Sequence, residues 1–353
     1  VSVPPELAGL SAPKGAMWRA LRTVVTGYEK VSSFSGRGRP PVRAVARERL
    51  MTVDDVRPEA HGVVSLQLVP VDQRELPAWL PGAHLDLVLP SGRIRQYSLC
   101  GDPTERACFR IAVRRIADGA GGSIEVHDTL RPGTVVRVRG PRNAFPFIPV
   151  ARYLFVAGGI GITPIRPMVH DAIRRGADWS LVYTGRTRAS MPFLTEFAEL
   201  PAGRVHICPD DEFGVPDGKS VLAAAPDGAA LYCCGPPAMI ATIRAEIPAE
   251  NVATLHYERF SAPPVVGGTA FEIQLARTGA LVAVRAEQSA LAAVRAVLPD
   301  IAYSCRQGFC GTCPVRVLGG AVEHRDRCLT DAERIDAMAI CVSRGSGRIV
   351  LDL

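Results

Sequence analysis

The chain has 353 residues, of which 47% are hydrophobic and 22% charged, enough for two or three domains with cores of their own. No apolar run reaches the roughly 18 to 20 residues that cross a bilayer, and the opening stretch lacks the apolar core of a secretory signal, so a cytoplasmic protein is expected. Of the net charge of +6, residues 1–45 carry most, with seven basic side chains against Glu6 and Glu29, which leaves no charged stripe for a phosphate backbone and argues against nucleic acid.

Residues 1–44 form this basic extension. Within it Met17, Trp18, Leu21, Val24, Val25, Tyr28 and Val31 fall in an arc of about 140° at helical periodicity, opposite Arg19, Arg22 and Lys30. An amphipathic helix is expected, weakened at Gly27 by about 1 kcal/mol relative to Ala. Packing of its apolar face onto the body of the protein is favoured over docking on an acidic partner or a membrane surface.

From 45 to 150 the segments VVSLQLVPV, HLDLVLPSG, CFRIAVRRI and TVVRVRG alternate in polarity and are punctuated by Pro and Gly, the pattern of an antiparallel barrel or sandwich. In RQYSLCGDP, Arg95 and Tyr97 share one strand face, which suits an anionic phosphate on the guanidinium and a flat ring on the phenol. Gly119, Gly121, Gly122 and Ser123 then precede a helix and can form a nest of N–H groups for phosphate, against the plainer reading of a surface turn.

From 151 to 262, buried strands alternate with helices, which predicts a parallel sheet covered on both faces. VAGGIGITPIRPM places Gly158, Gly159 and Gly161 between a strand and a helix, with Thr163 and Pro164 in the helix's first turn. Such glycines let a backbone approach a dinucleotide pyrophosphate, although the spacing is not G-x-G-x-x-G and a turn without ligand is the plainer alternative. YCCGPPAM repeats the theme, with Cys234 at a strand's carboxyl end. Arg186 and Arg188 follow the strand LVYTG, where a ribose 2′-phosphate would lie.

A linker at 263–269 leads to a small module at 270–353, which holds five of the ten cysteines. Cys305-x4-Cys310-x2-Cys313 has the plant-type 2Fe–2S spacing, which needs a distant fourth thiolate. Zinc knuckles use paired C-x2-C and fit this spacing less well. Cys341, in the apolar and strand-like AMAICVSRG, is chosen as fourth ligand over Cys328, which lies in a polar stretch resembling a helix start.

In this order the pieces resemble the phthalate dioxygenase reductase family of the ferredoxin–NADP reductase superfamily, over roughly residues 45–353. The resemblance implies a multidomain chain: an antiparallel flavin β-barrel, an α/β parallel-sheet nicotinamide domain and an α+β plant-type ferredoxin domain of β-grasp form. The family's R-x-Y-S-L flavin motif falls on Arg95, Tyr97, Ser98 and Leu99, and its phosphate-binding G-G-S on Gly121, Gly122 and Ser123. Its G-G-I-G-I-T-P falls on Gly158 to Pro164 and its C-G-P on Cys234, Gly235 and Pro236, while HYERF places Glu258 and Phe260 near the flavin face. The H-R-D at His324, Arg325 and Asp326 also matches, and Cys328 departs from the pattern.

By function, the resemblance implies an NADH-dependent reductase that passes electrons from NADH to FMN, to a 2Fe–2S cluster and on to a partner oxygenase, either a Rieske oxygenase or a haem-thiolate monooxygenase. Ser98 would then hydrogen-bond near the flavin N5, Tyr97 would pack on the ring, and Cys234 and Glu258 would border the hydride path. NADH is expected over NADPH by analogy. An iron–sulfur carrier or sensor with vestigial upstream domains is the rival reading. An oxygenase acting directly on small substrates ranks last, since seven histidines show no evident ligand set for a mononuclear iron or haem.

Overall fold

The computed structural model describes residues 48–117, 121–247, 252–260, 265–299, 301–303, 306–308 and 311–353, all within one compact unit, Arg47–Leu353. The expected helix at 17–34, Gly119, Cys305 and Cys310 lie outside the described residues, as do 261–264, which include the first two residues of the linker.

The alternating segments fold as expected into β1 (Glu48–Ala60), β2 (Val63–Pro70), β3 (Ala83–Val88), β4 (Ile94–Ser98), β5 (Phe109–Arg114) and β6 (Val135–Asn143). They form an antiparallel sheet in the order β4-β3-β6-β1-β2-β5. Its two edges meet where Leu99 bridges Ile111 and Cys100 N–H donates to Arg110 O at 2.9 Å, which curls the sheet into a barrel. Every second residue turns inward: Val136 and Val138 are buried while Val135 and Arg137 face out. Met51, Leu66, Leu68, Leu85, Leu87, Leu99 and Ile111 fill the interior with no exposed surface. Full burial of each such side chain contributes about 1.5–3 kcal/mol. Helix α1 (Gly122–Thr129) closes one end, with Val126 and Leu130 in the same core.

The second sheet holds β7 (Arg152–Gly158), β8 (Asp178–Gly185), β9 (Val205–Pro209), β10 (Ala229–Cys234) and β11 (Val252–Glu258), all parallel in the order β11-β10-β7-β8-β9. The apolar runs of β7 and β10 follow from burial on both faces. Tyr153, Phe155 and Ala157 face the core under α2 (Ile162–Arg174), and Leu154 and Val156 face the core under α3 (Pro237–Glu246). The strand order reverses between β7 and β10, so their carboxyl ends, Gly158 and Cys234, flank a switch-point crevice.

The third sheet, β13-β12-β16-β14-β15, is built from β12 (Phe271–Leu275), β13 (Leu281–Val284), β14 (Pro314–Glu323), β15 (Ala337–Ala339) and β16 (Arg344–Leu351). β12 and β16 run parallel and the other pairs antiparallel. Across it packs α4 (Ala290–Val297), N-capped by Ser289, whose Oγ accepts from Ala292 N–H at 3.2 Å. Arg344 is buried and largely paired: its two terminal guanidinium nitrogens donate to the carbonyls of Gln288, Thr269 and Arg285 at 2.8–3.1 Å and the group lies over the Phe271 ring, while its Nε has no partner among the described residues.

Two local expectations fail here. HRDRCLTDAE does not begin a helix: Asp326 accepts from Leu329 N–H at 3.0 Å and Ser343 Oγ at 3.1 Å, and such local side-chain bonds compete with helical ones. Only a 3-10 turn succeeds it, at Glu333–Ile335. Cys341 sits in the turn between β15 and β16 rather than in a strand. No helix among the described residues is long and apolar enough to cross a membrane.

Candidate functional site

A cavity of about 340 Å³ opens where the three sheets meet. Strand β4 is a sheet edge, so Arg95, Gln96, Tyr97 and Ser98 all reach its wall. Ala112, Val113, Arg114 and Ile116 line it from β5 and just beyond, Gly122 and Ser123 from the start of α1, and Ile160 and Thr163 from the glycine turn. Phe260 enters from the end of β11, and Arg295, Tyr303 and Arg306 from the third module.

One end of this cavity is an anion cradle. Gly121 takes φ +77 as the N-cap of α1, leaving the helix's first N–H groups free of a side-chain cap. A Cβ on Gly122 would strike the Arg95 side chain, with Cγ at 2.7 Å, so the guanidinium lies directly over the helix N-terminus. Cation and helix dipole together favour a phosphate there. Burial raises the Tyr97 phenol, which keeps the ring neutral and available for stacking on a flat ligand. Leu99, from the same motif, is fully buried and closes the barrel instead of lining the cavity.

The two glycine motifs of the nucleotide-type sheet meet each other. A Cβ at Gly158 would lie 2.6 Å from Pro236 Cδ, one at Gly161 would collide with the Cys234 carbonyl, and one at Gly235 with Met239 Cε. These three glycines therefore let the two turns interlock, whereas the space beside Gly159, at φ +54, is open. Thr163 anchors the helix start by donating its hydroxyl to Ile160 O at 3.0 Å, and Pro164 is buried in the first turn of α2.

Strand pairing sets Cys234 directly beside Glu258. Cys234 is wholly buried, and desolvation with the neighbouring Glu258 pushes its thiol far above the usual range. Glu258, Phe260 and Ser98 line a smaller polar cavity of about 50 Å³ with His84, Gln96, Arg259 and Arg306. Burial raises the Glu258 carboxyl to about 8, and its Oε2 has no hydrogen-bond partner among the described residues. The residue is half-buried overall, but its carboxyl end is enclosed, so at neutral pH it is mostly a protonated donor facing that cavity. Burial, aided by Arg142, lowers His84 to about 4, so it is neutral there.

In the third module Cys313 and Cys341 are both buried, and Ile340 N–H donates to Cys313 O at 3.3 Å. Cys328 is half-buried near them: burial and then the neighbouring Asp326 raise its thiol, with Gly311 N–H opposing and Cys313 adding to the rise. A Cβ on Gly308, at φ +80, would meet Val342 Cγ2 at 2.6 Å and Asp326 Cα at 3.1 Å, the close approach expected of a compact cluster loop.

Several lining residues are absent from the motifs read in the sequence. Arg114 and Ile116 were accessible to it, because CFRIAVRRI is the neighbouring edge strand; Arg295, Tyr303 and Arg306 were not, since they arrive through tertiary docking of a remote module.

The fold and site define a modular redox protein, with a barrel carrying an anion cradle, a switch-point crevice and a cluster loop converging on one cavity. The 2Fe-2S iron-sulfur cluster binding domain family matches residues 273–344. Over 86% of this chain and 98% of the relative, 38% of residues are identical to the putative toluene-4-sulfonate monooxygenase system reductase subunit TsaB2 of Comamonas testosteroni. The crystal structure of phthalate dioxygenase reductase superposes with a TM-score of 0.68 at 33% identity, covering 87% of this chain and 98% of that one. An intact type IV self-sufficient cytochrome P450 monooxygenase superposes with a TM-score of 0.68 at 36% identity over 92% of this chain, which spans only 44% of that longer one. The chain belongs to the phthalate dioxygenase reductase family and is an electron-transfer oxidoreductase with a 2Fe–2S domain.

Proposed function

We propose that the chain oxidises NADH through bound FMN and delivers electrons one at a time, by way of a 2Fe–2S cluster, to a separate oxygenase. FMN supplies the exchange between hydride and single-electron chemistry, and the cluster supplies one-electron carriage. The observation that carries the reading is the convergence of Arg95 and Tyr97, Thr163 and Phe260, and Tyr303 and Arg306 on a single cavity. An iron–sulfur carrier with vestigial upstream modules leaves that cavity, its cradle and the buried Glu258 without a purpose.

Arg95 with Gly121, Gly122 and Ser123 holds the FMN phosphate, and the single cradle favours FMN over FAD. Tyr97 stacks on the ring and Ser98 offers its hydroxyl near N5. Glu258, protonated, orients the nicotinamide carboxamide from the small cavity, and Phe260 covers the ring face. Cys234 backs this site from within the sheet. Gly159 gives the nucleotide pyrophosphate its open approach, while Gly158, Gly161, Gly235 and Pro236 fix the turns around it. Cys305, Cys310, Cys313 and Cys341 ligate the cluster. The modules serving these steps are 45–150, 151–262 and 270–353.

NADH is favoured over NADPH by charge. Arg188, where a 2′-phosphate would need a cation, is held by Glu212 in two bonds of 2.7 and 2.8 Å with Asp211 also near it, and Arg186 lies near Asp210. The partner is a Rieske oxygenase or a haem-thiolate monooxygenase, in keeping with the oxygenase systems for which the relatives are named.

Tyr97→Ala tests the assignment. The purified variant should lose its flavin and keep its cluster absorbance, and the wild type should release FMN on denaturation. Full flavin occupancy in the variant, or FAD from the wild type, overturns the assignment.

A further inference from the structure

The cluster loop is tied to the other modules by side chains that no redox step uses. Gln307 Oε1 accepts from Nε of Arg259, which follows Glu258 at the exit of β11, at 3.1 Å. Arg306 donates to the Phe260 carbonyl at 2.5 Å. Gln96 of β4 donates to the Tyr303 carbonyl at 3.2 Å and is itself oriented by Asp86 at 3.1 Å. Arg306 and Gln307 both fall in the four-residue gap between Cys305 and Cys310. Arg306 holds φ +54 without being glycine, a conformation kept only where the surroundings dictate it.

We propose that Arg259 and Gln307 are positioning residues, whose hydrogen bond locks the cluster loop to the β11 exit and so fixes the separation between flavin and cluster. The inference rests on the reading given under Proposed function. One electron leaves the reduced flavin and enters the oxidised cluster, and the hydrogen bond itself gives or takes neither electron nor proton. Its loss loosens the docked arrangement and slows this step, while hydride transfer, which needs nothing from Gln307, is untouched. Gln307 is the cleaner member of the pair, because it lines neither cavity.

The test is anaerobic stopped-flow mixing of holoprotein with NADH, together with hydrogen exchange of the loop and the cluster's midpoint potential. A single hydrogen bond of this kind shifts a docking equilibrium about 2- to 10-fold. Gln307→Ala should therefore slow cluster reduction by about that factor, with flavin bleaching and potential unchanged and loop exchange accelerated. Arg259→Ala should slow cluster reduction equally, the double variant should be no worse than either, and Arg259→Lys should recover part of the rate. Unchanged cluster reduction in Gln307→Ala, equal slowing of bleaching, or a potential shift large enough to explain the rate overturns the proposal alone. A wild type that NADH does not bleach overturns the functional reading and this proposal with it.

Discussion

Gly161→Ala probes how the switch-point crevice is held. The new Cβ would meet the Cys234 carbonyl, with its carbon at 2.6 Å and Gly235 N at 3.1 Å. All of these are backbone atoms at the end of β10, so no rotamer relieves the clash. The two turns must separate by about 1 Å, and overpacking of this kind costs about 1–3 kcal/mol. Because Thr163 follows one turn and Cys234, paired with Glu258 of β11, precedes the other, the separation displaces both walls of the site. A misplacement of about 1 Å lowers a rate by about 100-fold. The expected outcome is a loss of about that size in kcat/KM for NADH with an artificial acceptor, at unchanged flavin occupancy since the barrel is not touched. Gly235→Ala is the control: its Cβ meets chiefly the methyl end of Met239, which can swing aside, so its loss should stay below about tenfold. A Gly161→Ala rate within about threefold of wild type, or a Gly235→Ala variant worse than Gly161→Ala, would refute the reasoning.

Cys341→Ser should abolish or grossly perturb the paramagnetic signal of the reduced cluster, while Cys328→Ser should leave it nearly intact; the reverse would make Cys328 the fourth ligand. Glu258 keeps a proton up to about 8 in the folded protein and only to the ordinary 4.5 when unfolded. Stability should therefore fall as pH rises from about 4.5 to 8, by about 4–5 kcal/mol in all at about 1.4 kcal/mol per pH unit. Glu258→Gln should flatten that decline in denaturation midpoints, and parallel wild-type and variant profiles would refute the burial argument. Glu212→Gln frees Arg188 from its two-bond clasp and should raise the NADPH to NADH ratio of kcat/KM about tenfold; an unchanged ratio would remove Arg188 from the nucleotide site.

The local grammar of this fold is legible where periodicity and turn chemistry agree. Alternation in VVSLQLVPV and TVVRVRG located β2 and β6, and the apolar runs before GGIG and CGP located β7 and β10. The placement of Arg95 over the helix start at Gly121 and Gly122 was readable because it depends on backbone geometry and a single charge. The glycines are subtler: the sequence ascribes Gly158 and Gly161 to a ligand's approach, but the turns meet each other, a fact of tertiary packing. The polar run around Cys328 resembled a helix because the binding of Asp326 to Leu329 and Ser343 depends on a residue 17 positions away. For the same reason Tyr303 and Gln307 could not be assigned to the site from spacing alone, as their partners Gln96 and Arg259 are supplied by other modules.

The central claim is a single route from NADH through flavin to the cluster. It is tested most directly by mixing the anaerobic holoprotein with NADH while following flavin absorbance and the reduced cluster's paramagnetic signal together. The account predicts rapid flavin bleaching followed by appearance of the cluster signal, with both lost in Tyr97→Ala. A cluster signal that precedes bleaching, survives removal of the flavin, or fails to appear although dithionite elicits it would contradict the account.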